Sequence, residues 1–342
     1  MRLATVAIAG RSPEPAVVVD GRPVSLRDAF GQAGMSPDAA PQSIRDLVNE
    51  YPTIREQLVR AEAAAAGVSQ TDDVEWHPPL PDPSKILGCA INNAALNDLA
   101  AAHAANPPFF VKLPSSLIGH SQPIVIRPDY GLTHPEGELA VVIGRRAKNL
   151  QPAEVPEAVF GYTIINDVTS ITLKSEDTYV FRNPGIEPAP PGFAHGDMHL
   201  VYHARSKGTD GFGPCGPWIV TADEIADPDS LDVNVYMGDE LCASDSTANL
   251  RFTTAEVISW LSRYVTLEPG DLVHMGTAAR GRYALRELDF QEWDGPCTVE
   301  IDGIGRLTNP IVRQDLDGRP VAGRPRTEAQ PWPPRVPAAE KR

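Results

Sequence analysis

The stretch Glu136-Gly137-Glu138-Leu139-Ala140-Val141-Val142-Ile143-Gly144 puts two carboxylates at i and i+2, directly before an apolar run. On a β-strand, residues two apart face the same side, with Cα atoms about 6.5–7 Å apart. Two like charges that close repel, so they either face water or share a cation. Taken alone the pair reads as a solvated strand end, because glutamates are seldom buried without a partner.

A second stretch shifts that balance. Gly161-Tyr162-Thr163-Ile164-Ile165-Asn166-Asp167-Val168-Thr169 is a β-rich run that delivers an acid just after two isoleucines. By pattern Asp167 is half-buried, and a buried acid needs a partner. No Lys or Arg stands beside it in the chain. Glu136, Glu138 and Asp167 together are a candidate metal-ligand set of hard oxygen donors. Such a set suits Mg²⁺ or Mn²⁺, with Ca²⁺ also admissible, and not zinc.

Outward from these runs, short apolar segments separated by turn residues recur from Lys85 onward: Ile86–Cys89, Phe109–Val111, Ile124–Ile126, Trp218–Val220, Val233–Tyr236, Leu272–Met275 and Cys297–Ile301. Helices are expected at Ala94–Ala105 and Thr254–Tyr264, with Thr253 or Thr254 as cap. The pattern predicts a β-rich α+β fold rather than a regular βαβ alternation. Ahead of it, Met1–Ile8 and Ala16–Asp20 read as strands, and Leu26–Phe30 and Ser43–Ala65 as helices. The Pro-rich connector His77–Pro83 marks a boundary. The expected organisation is a small N-terminal domain (1–80), a catalytic domain (81–315) and a Pro-rich tail (316–342), loosely ordered after Arg313. Ser175–Met198 reads as a long irregular segment, the kind that is more often functional than inert.

Composition narrows the function. The 342 residues carry a formal charge of −15, which argues against a nucleic-acid partner. An anionic substrate stays open, because a bound cation reverses the local field. No run of about 18 apolar residues suggests a membrane span, and the N-terminus lacks the marks of a signal peptide. Four scattered cysteines without a C-x-x-C pair fit a reduced, cytoplasmic protein. The 34 prolines point to many turns.

The runs also occur in a familiar order. Lys85-Ile86-Leu87-Gly88, Pro108–Lys112, Pro114–Gly119, Glu136–Gly144, Gly161–Thr169, Lys207–Trp218, Leu267–Asp271 and Gly276-Thr277 resemble the fumarylacetoacetate hydrolase family, in its fumarylpyruvate and acylpyruvate hydrolase-like branch. The resemblance implies a mixed β-roll with a small N-terminal α/β domain, usually a homodimer. It implies that Glu136, Glu138 and Asp167 hold the metal and that Lys207 is the active-site lysine. Gly276 and Thr277 match the turn that receives a substrate carboxylate, although Ala278 stands where that turn usually has proline. Lys112 and Lys174 are further candidate substrate contacts. The implied substrate is a small anionic 2-oxo or β-dicarbonyl acid, whose enolate a cation stabilises. C–C bond hydrolysis is the family's default reaction.

One departure bears on that reaction. Hydrolytic members carry Asn-Tyr-x-x-His-x-x-Glu after the first core strand, and its His–Glu pair activates water. Here the segment is Asn92-Asn93-Ala94-Ala95-Leu96-Asn97-Asp98-Leu99, so leucines fill both positions. Ile171 and Lys174 replace the usual Arg and Gln after the metal aspartate. Three explanations follow. Another base substitutes, such as His103, His195, His199 or Asp197. The reaction needs no activated water, as in decarboxylation, isomerisation, dehydration or cyclisation. Or the protein binds without turnover. Trp218 and Phe212 read as core, and His134 as a solvated loop residue.

Overall fold

The computed structural model describes residues 1–68, 71–94, 105–183, 185, 196–277 and 287–326. Most of the expected helix Ala94–Ala105 lies outside these residues. So do Leu96, Leu99, His103, His195 and Ala278.

The fold is β-rich α+β. Its larger sheet runs in the order β3 (Arg22–Ser25), β2 (Glu14–Val19), β1 (Arg2–Ile8), β15 (Gly213–Thr221), β11 (Val159–Asn166), β10 (Gly137–Ile143), β18 (Leu272–Thr277), β5 (Ile86–Cys89), β6 (Phe109–Lys112). Two further strands join it off this path, β4 (Val74–His77) on β1 and β7 (Leu117–Ile118) on β15. A second sheet has the order β17 (Glu240–Ser246), β16 (Asp232–Met237), β19 (Pro296–Ile301), β20 (Gly305–Arg313), β8 (Ile124–Ile126). Two short pairs complete the strands: β9 (Thr133–His134) with β12 (Thr169–Ser170), and β13 (Thr178–Phe181) with β14 (Met198–Val201).

The site is placed by strand alternation. Along β10, Leu139, Val141 and Ile143 join the core that also contains Val235, Val299 and Leu307 of the second sheet. Ala140 and Val142 point the other way, into the core with Leu47, Leu58 and Ile86. Glu138 has the parity of Ala140 and Val142, so it continues that second face one pleat further along. The same parity carries His274 with Leu272, and Gly88 with Ile86. An apolar face thus turns polar where these strands approach their ends.

Helix Ile44–Ala65 covers the apolar part of that face. Ile44, Leu47, Val48, Leu58, Ala61 and Ala65 are buried at helical spacing, and Ser43 Oγ caps the start by accepting the Asp46 N–H at 3.0 Å. Through the β1–β15 pairing the N-terminal strands extend the large sheet directly. Helix Thr254–Tyr264 opens on a capping box between Thr253 and Glu256. No helix among the described residues is long and apolar enough to cross a membrane.

Several elements are absent from the sequence expectation. Strand β17 reads Glu-Leu-Cys-Ala-Ser-Asp-Ser, too polar to announce itself, and is held by its pairing with β16. Strand β20 contains Pro310 yet pairs with both β19 and β8. Part of the segment expected to be irregular is the β13–β14 hairpin. The chain after Arg313 is also tied down further than expected: Val321 N–H donates to the Arg313 carbonyl at 3.0 Å, and Arg324 Nη2 to Asp289 Oδ2 at 2.7 Å.

Candidate metal centre

Glu138 is buried at the polar end of the β10 face. Its Oε2 accepts the Gly276 N–H at 2.8 Å and lies 2.6 Å from Nδ1 of His274. A one-residue slip in the β10–β18 register makes this contact. Ala140 pairs with His274 but Glu138 with Thr277, so Met275 and Gly276 bulge between them. Gly276 has φ +105°, and a Cβ there would sit 2.9 Å from Asn92 Cβ. The position needs glycine on both counts. Asn92 braces the bulge, donating to the Met275 carbonyl at 2.8 Å, and Asn93 donates to the Thr277 carbonyl at 3.2 Å.

Asp167 stands just past β11 and is fully buried. Its N–H donates to the Glu136 carbonyl at 2.8 Å, and Glu136 N–H donates to Asn166 Oδ1 at 2.9 Å. These bonds fasten the two acid-bearing segments together. The partner that a buried acid requires comes from far along the chain. Lys112 Nζ, also fully buried, donates to Asp167 Oδ1 at 2.7 Å, and Lys207 Nζ donates to Asp167 Oδ2. Lys207 also donates to Glu136 Oε2 at 2.9 Å and to Thr169 Oγ1 at 2.7 Å, and sits 5.0 Å from the Phe110 ring centroid. Lys112 donates further to the Lys207 carbonyl.

These contacts set the charge states. Burial alone would raise Asp167, but Lys112 and Lys207 hold its carboxyl well below the usual range. Burial raises Glu138, against the opposing pull of His274. Burial would lower Lys207, yet Asp167, Glu136 and Glu138 push it up, so it stays an ammonium. Lys112 is lowered by burial, with Asp167 opposing. Lys174, at the rim, is lowered by burial, with Glu136 opposing and Lys207 adding to the shift. His203 is lowered by burial and then by Lys174 and Lys207; its Nδ1 is buried without a hydrogen-bond partner among the described residues, and its ring lies 5.5 Å from Phe110.

One sequence reading changes here. His134 is buried, not solvated, with Nδ1 3.1 Å from the Pro135 carbonyl. Its Nε2 lies 3.8 Å from Glu136 Oε1. Phe212 is fully buried and Trp218 partly so, against the core. Asp197 accepts the Asn183 N–H at 3.1 Å, and His199 is an exposed residue of β14.

Among the described residues, Glu138, Asp167 and His274 offer ligand atoms that all lie within 4.8 Å of one another. Opposite ligands of one divalent ion stand about 4–5 Å apart, so this group fits a cation. Glu136 meets Asp167 through the Lys207 ammonium, which bridges the two carboxylates. His274 was not anticipated. Its only sequence signal is a histidine inside the apolar run Leu272-Val273-His274-Met275, opposite Gly88 in the parallel β18–β5 pair. His203 carried no signal, and Asn92 only its place at the head of the motif whose His and Glu are replaced.

The β-rich α+β fold gathers acids, lysines and an imidazole at one buried strand-end cluster, the composition of a candidate metal centre. The model of the fumarylacetoacetate (FAA) hydrolase C-terminal family matches residues 87–312. The chain belongs to that family and is an enzyme of it. It is 29% identical over 80% of its length to the 4-hydroxyphenylacetate degradation bifunctional isomerase/decarboxylase of Salmonella dublin, and spans 56% of that relative's length. It is 28% identical to a mitochondrial oxaloacetate tautomerase of Rattus norvegicus, over 80% of this chain and 81% of that one. Among solved structures, maleylpyruvate hydrolase from Sphingobium sp. SYK-6, in complex with manganese (II) ion and pyruvate, superposes with a TM-score of 0.66 at 25% identity, over 92% of this chain and 99% of that one.

Proposed function

We propose that the chain acts on a small 2-oxo or β-dicarbonyl acid by moving a proton through an enolate, as a tautomerase, isomerase or decarboxylase. The observation that carries this reading is the buried acid and lysine cluster joined to a sequence in which Leu96 and Leu99 fill the water-activating positions. A divalent cation, Mg²⁺ or Mn²⁺, held at Glu138 and Asp167 together with Glu136 or His274, supplies positive charge for the enolate oxygen.

The chain's own residues do the rest. Lys207, fixed by Glu136, Asp167 and Thr169, presents a permanent positive charge beside the carboxylates. Lys174 and His203 face the same charges from the rim; the lowering brings Lys174 toward the range where a side chain gives and takes protons near neutral pH, and favours the neutral imidazole of His203, which can accept one. The Gly276-Thr277 turn receives the substrate carboxylate in this reading, and Lys112 acts by holding Asp167 rather than by touching substrate. The likeness to a tautomerase and to an isomerase/decarboxylase supports non-hydrolytic chemistry. The likeness to maleylpyruvate hydrolase supports a second reading, C–C bond hydrolysis with a replacement base. A homodimer is proposed from the family.

The test is turnover of oxaloacetate and acylpyruvates in D₂O, followed by NMR. Deuterium entry next to the keto group, or loss of carbon dioxide, is expected, stopping on chelation and in Glu138→Ala. Activity that survives both treatments defeats the cation reading. Clean cleavage into pyruvate and a second acid selects hydrolysis instead.

A further inference from the structure

Beyond Arg313 the chain turns back on itself as a strap. Gly318 N–H donates to the Asp315 carbonyl at 3.1 Å, and Arg319 N–H donates to Asp315 Oδ1 at 2.9 Å, which closes the turn. The returning run passes close to Arg313 at Gly323. A Cβ there would stand 2.8 Å from Arg313 Nη1 and 3.2 Å from the Gln291 carbonyl oxygen, so glycine is what lets the strap through. This strap lies outside the stretch that the family model matches, which ends at residue 312.

The strap grips the segment Asp289–Asp294 along its length. Arg313 Nε donates to the Phe290 carbonyl at 2.8 Å, and Arg324 N–H donates to the Gln291 carbonyl at 2.6 Å. The Arg326 guanidinium lies 3.5 Å from the Trp293 ring centroid. On its other side the same segment holds β9: Phe290 N–H donates to the Thr133 carbonyl at 2.8 Å. Asp289, a buried carboxylate, joins the two sides. Its Oδ2 accepts from Arg324 Nη2 at 2.7 Å, while its Oδ1 accepts the Thr133 N–H at 3.2 Å and the Gln291 N–H at 3.0 Å. Strand β9 pairs in turn with β12, His134 opposite Thr169. Glu136 follows β9 by two residues and Asp167 precedes β12 by two, and the Asp167 N–H donates to the Glu136 carbonyl at 2.8 Å.

We infer that the strap braces the candidate centre, with Asp289 and Arg324 as positioning residues that fix the β9–β12 pair and through it Glu136 and Asp167. A neutral acceptor would satisfy the Thr133 and Gln291 N–H groups. The carboxylate adds a charge that Arg324 answers from the strap, and a charge-assisted bond is the stronger tie. The bearing of this brace on function rests on the proposal that these acids serve a cation and its substrate; the bracing itself does not.

The experiment compares the whole wild-type protein with Arg324→Ala, Arg324→Lys, Asp289→Asn and the double variant Arg324→Ala with Asp289→Asn. The Arg324 side chain is 55% exposed, so its replacement leaves the core intact. Amide hydrogen exchange is followed without divalent ions, and Mn²⁺ affinity by titration calorimetry. In Arg324→Ala the Thr133 and Asp167 amides should exchange faster while those of Val141 and Val142 at the centre of β10 stay as in wild type. Mn²⁺ binding should weaken about tenfold, the lower end for residues that act behind a metal's ligands. Arg324→Lys should restore both. Asp289→Asn keeps the acceptor but not the charge, so it should match Arg324→Ala, and the double variant should be no worse than either. A lower Tm with unchanged Asp167 exchange and unchanged Mn²⁺ affinity overturns the inference, as do additive losses in the double variant, and either leaves the proposed function standing. Wild-type protein that binds no Mn²⁺ defeats the cation reading instead, and the exchange data then decide the brace alone.

Discussion

Lys112→Met removes a charge from the least accessible part of the site. Lys112 and Asp167 are both fully buried, 2.7 Å apart, and the lysine also donates to the Lys207 carbonyl. Breaking a buried pair by deleting one partner costs about 3–5 kcal/mol, because the other charge is left without compensation. Asp167 keeps its bond from Lys207, so the lower end, about 3 kcal/mol, is expected. With an unfolding entropy near 2.1 cal/mol/K per residue, 342 residues give about 0.7 kcal/mol/K, and the loss becomes a fall of about 4 °C in Tm. Methionine fills the lysine's stem without its charge, so little of the fall comes from a cavity. The sign with metal is the sharper test. Three acids and two bonded ammonium groups share the cluster, so removing one ammonium makes it more attractive to a cation. A cation at a hundred times its Kd stabilises the native state by about 2.7 kcal/mol, and more where it binds more tightly. Scanning calorimetry without divalent ions and with saturating Mn²⁺ should therefore show the deficit shrink, and titration calorimetry should show tighter Mn²⁺ binding than in wild type. A fall below 1 °C without metal, or a deficit that Mn²⁺ leaves unchanged or widens, would refute the reasoning.

Burial pushes the Cys89, Cys215 and Cys297 thiols up to about 12. The unfolded chain releases these protons above a pKa of about 8.5 while the native protein holds them, so stability falls as pH rises from about 9 to 12, by about 1.4 kcal/mol per thiol per pH unit. Urea unfolding across that window measures the slope, and iodoacetamide at pH 8 should leave the native thiols unmodified. Gly276→Ala forces a side chain onto φ +105° against Asn92 and disturbs the Glu138 bond. A loss of about 1–3 kcal/mol is expected by urea unfolding, with weaker Mn²⁺ binding by calorimetry. Thr253→Ala opens the capping box of helix Thr254–Tyr264 and should cost about 1 kcal/mol in the same assay while leaving cation affinity unchanged.

The sequence by itself determined the elements whose local pattern matches their final environment. Periodicity marked helix Ile44–Ala65, and the capping residues marked the start of helix Thr254–Tyr264. Short apolar runs marked the central strands, and the ordered motifs marked the family, because each signal lies within a few residues of chain. Strand β17 and the β13–β14 hairpin stayed hidden, since their stability comes from partners rather than from their own alternation. The site divides the same way. Glu138 and Asp167 were legible as acids at strand ends. That Asp167 is met by lysines 55 and 40 residues away was not, and neither was the burial of His134. Nor could the sequence bring His274 to Glu138 across 136 residues, because that contact depends on the β10–β18 register, its bulge at Gly276 and the space left by Gly88. Residue types announce what chemistry is available. Which of them meet is decided by strand register, and register is a property of the assembled sheet, where a slip of one residue turns every side chain to the other face.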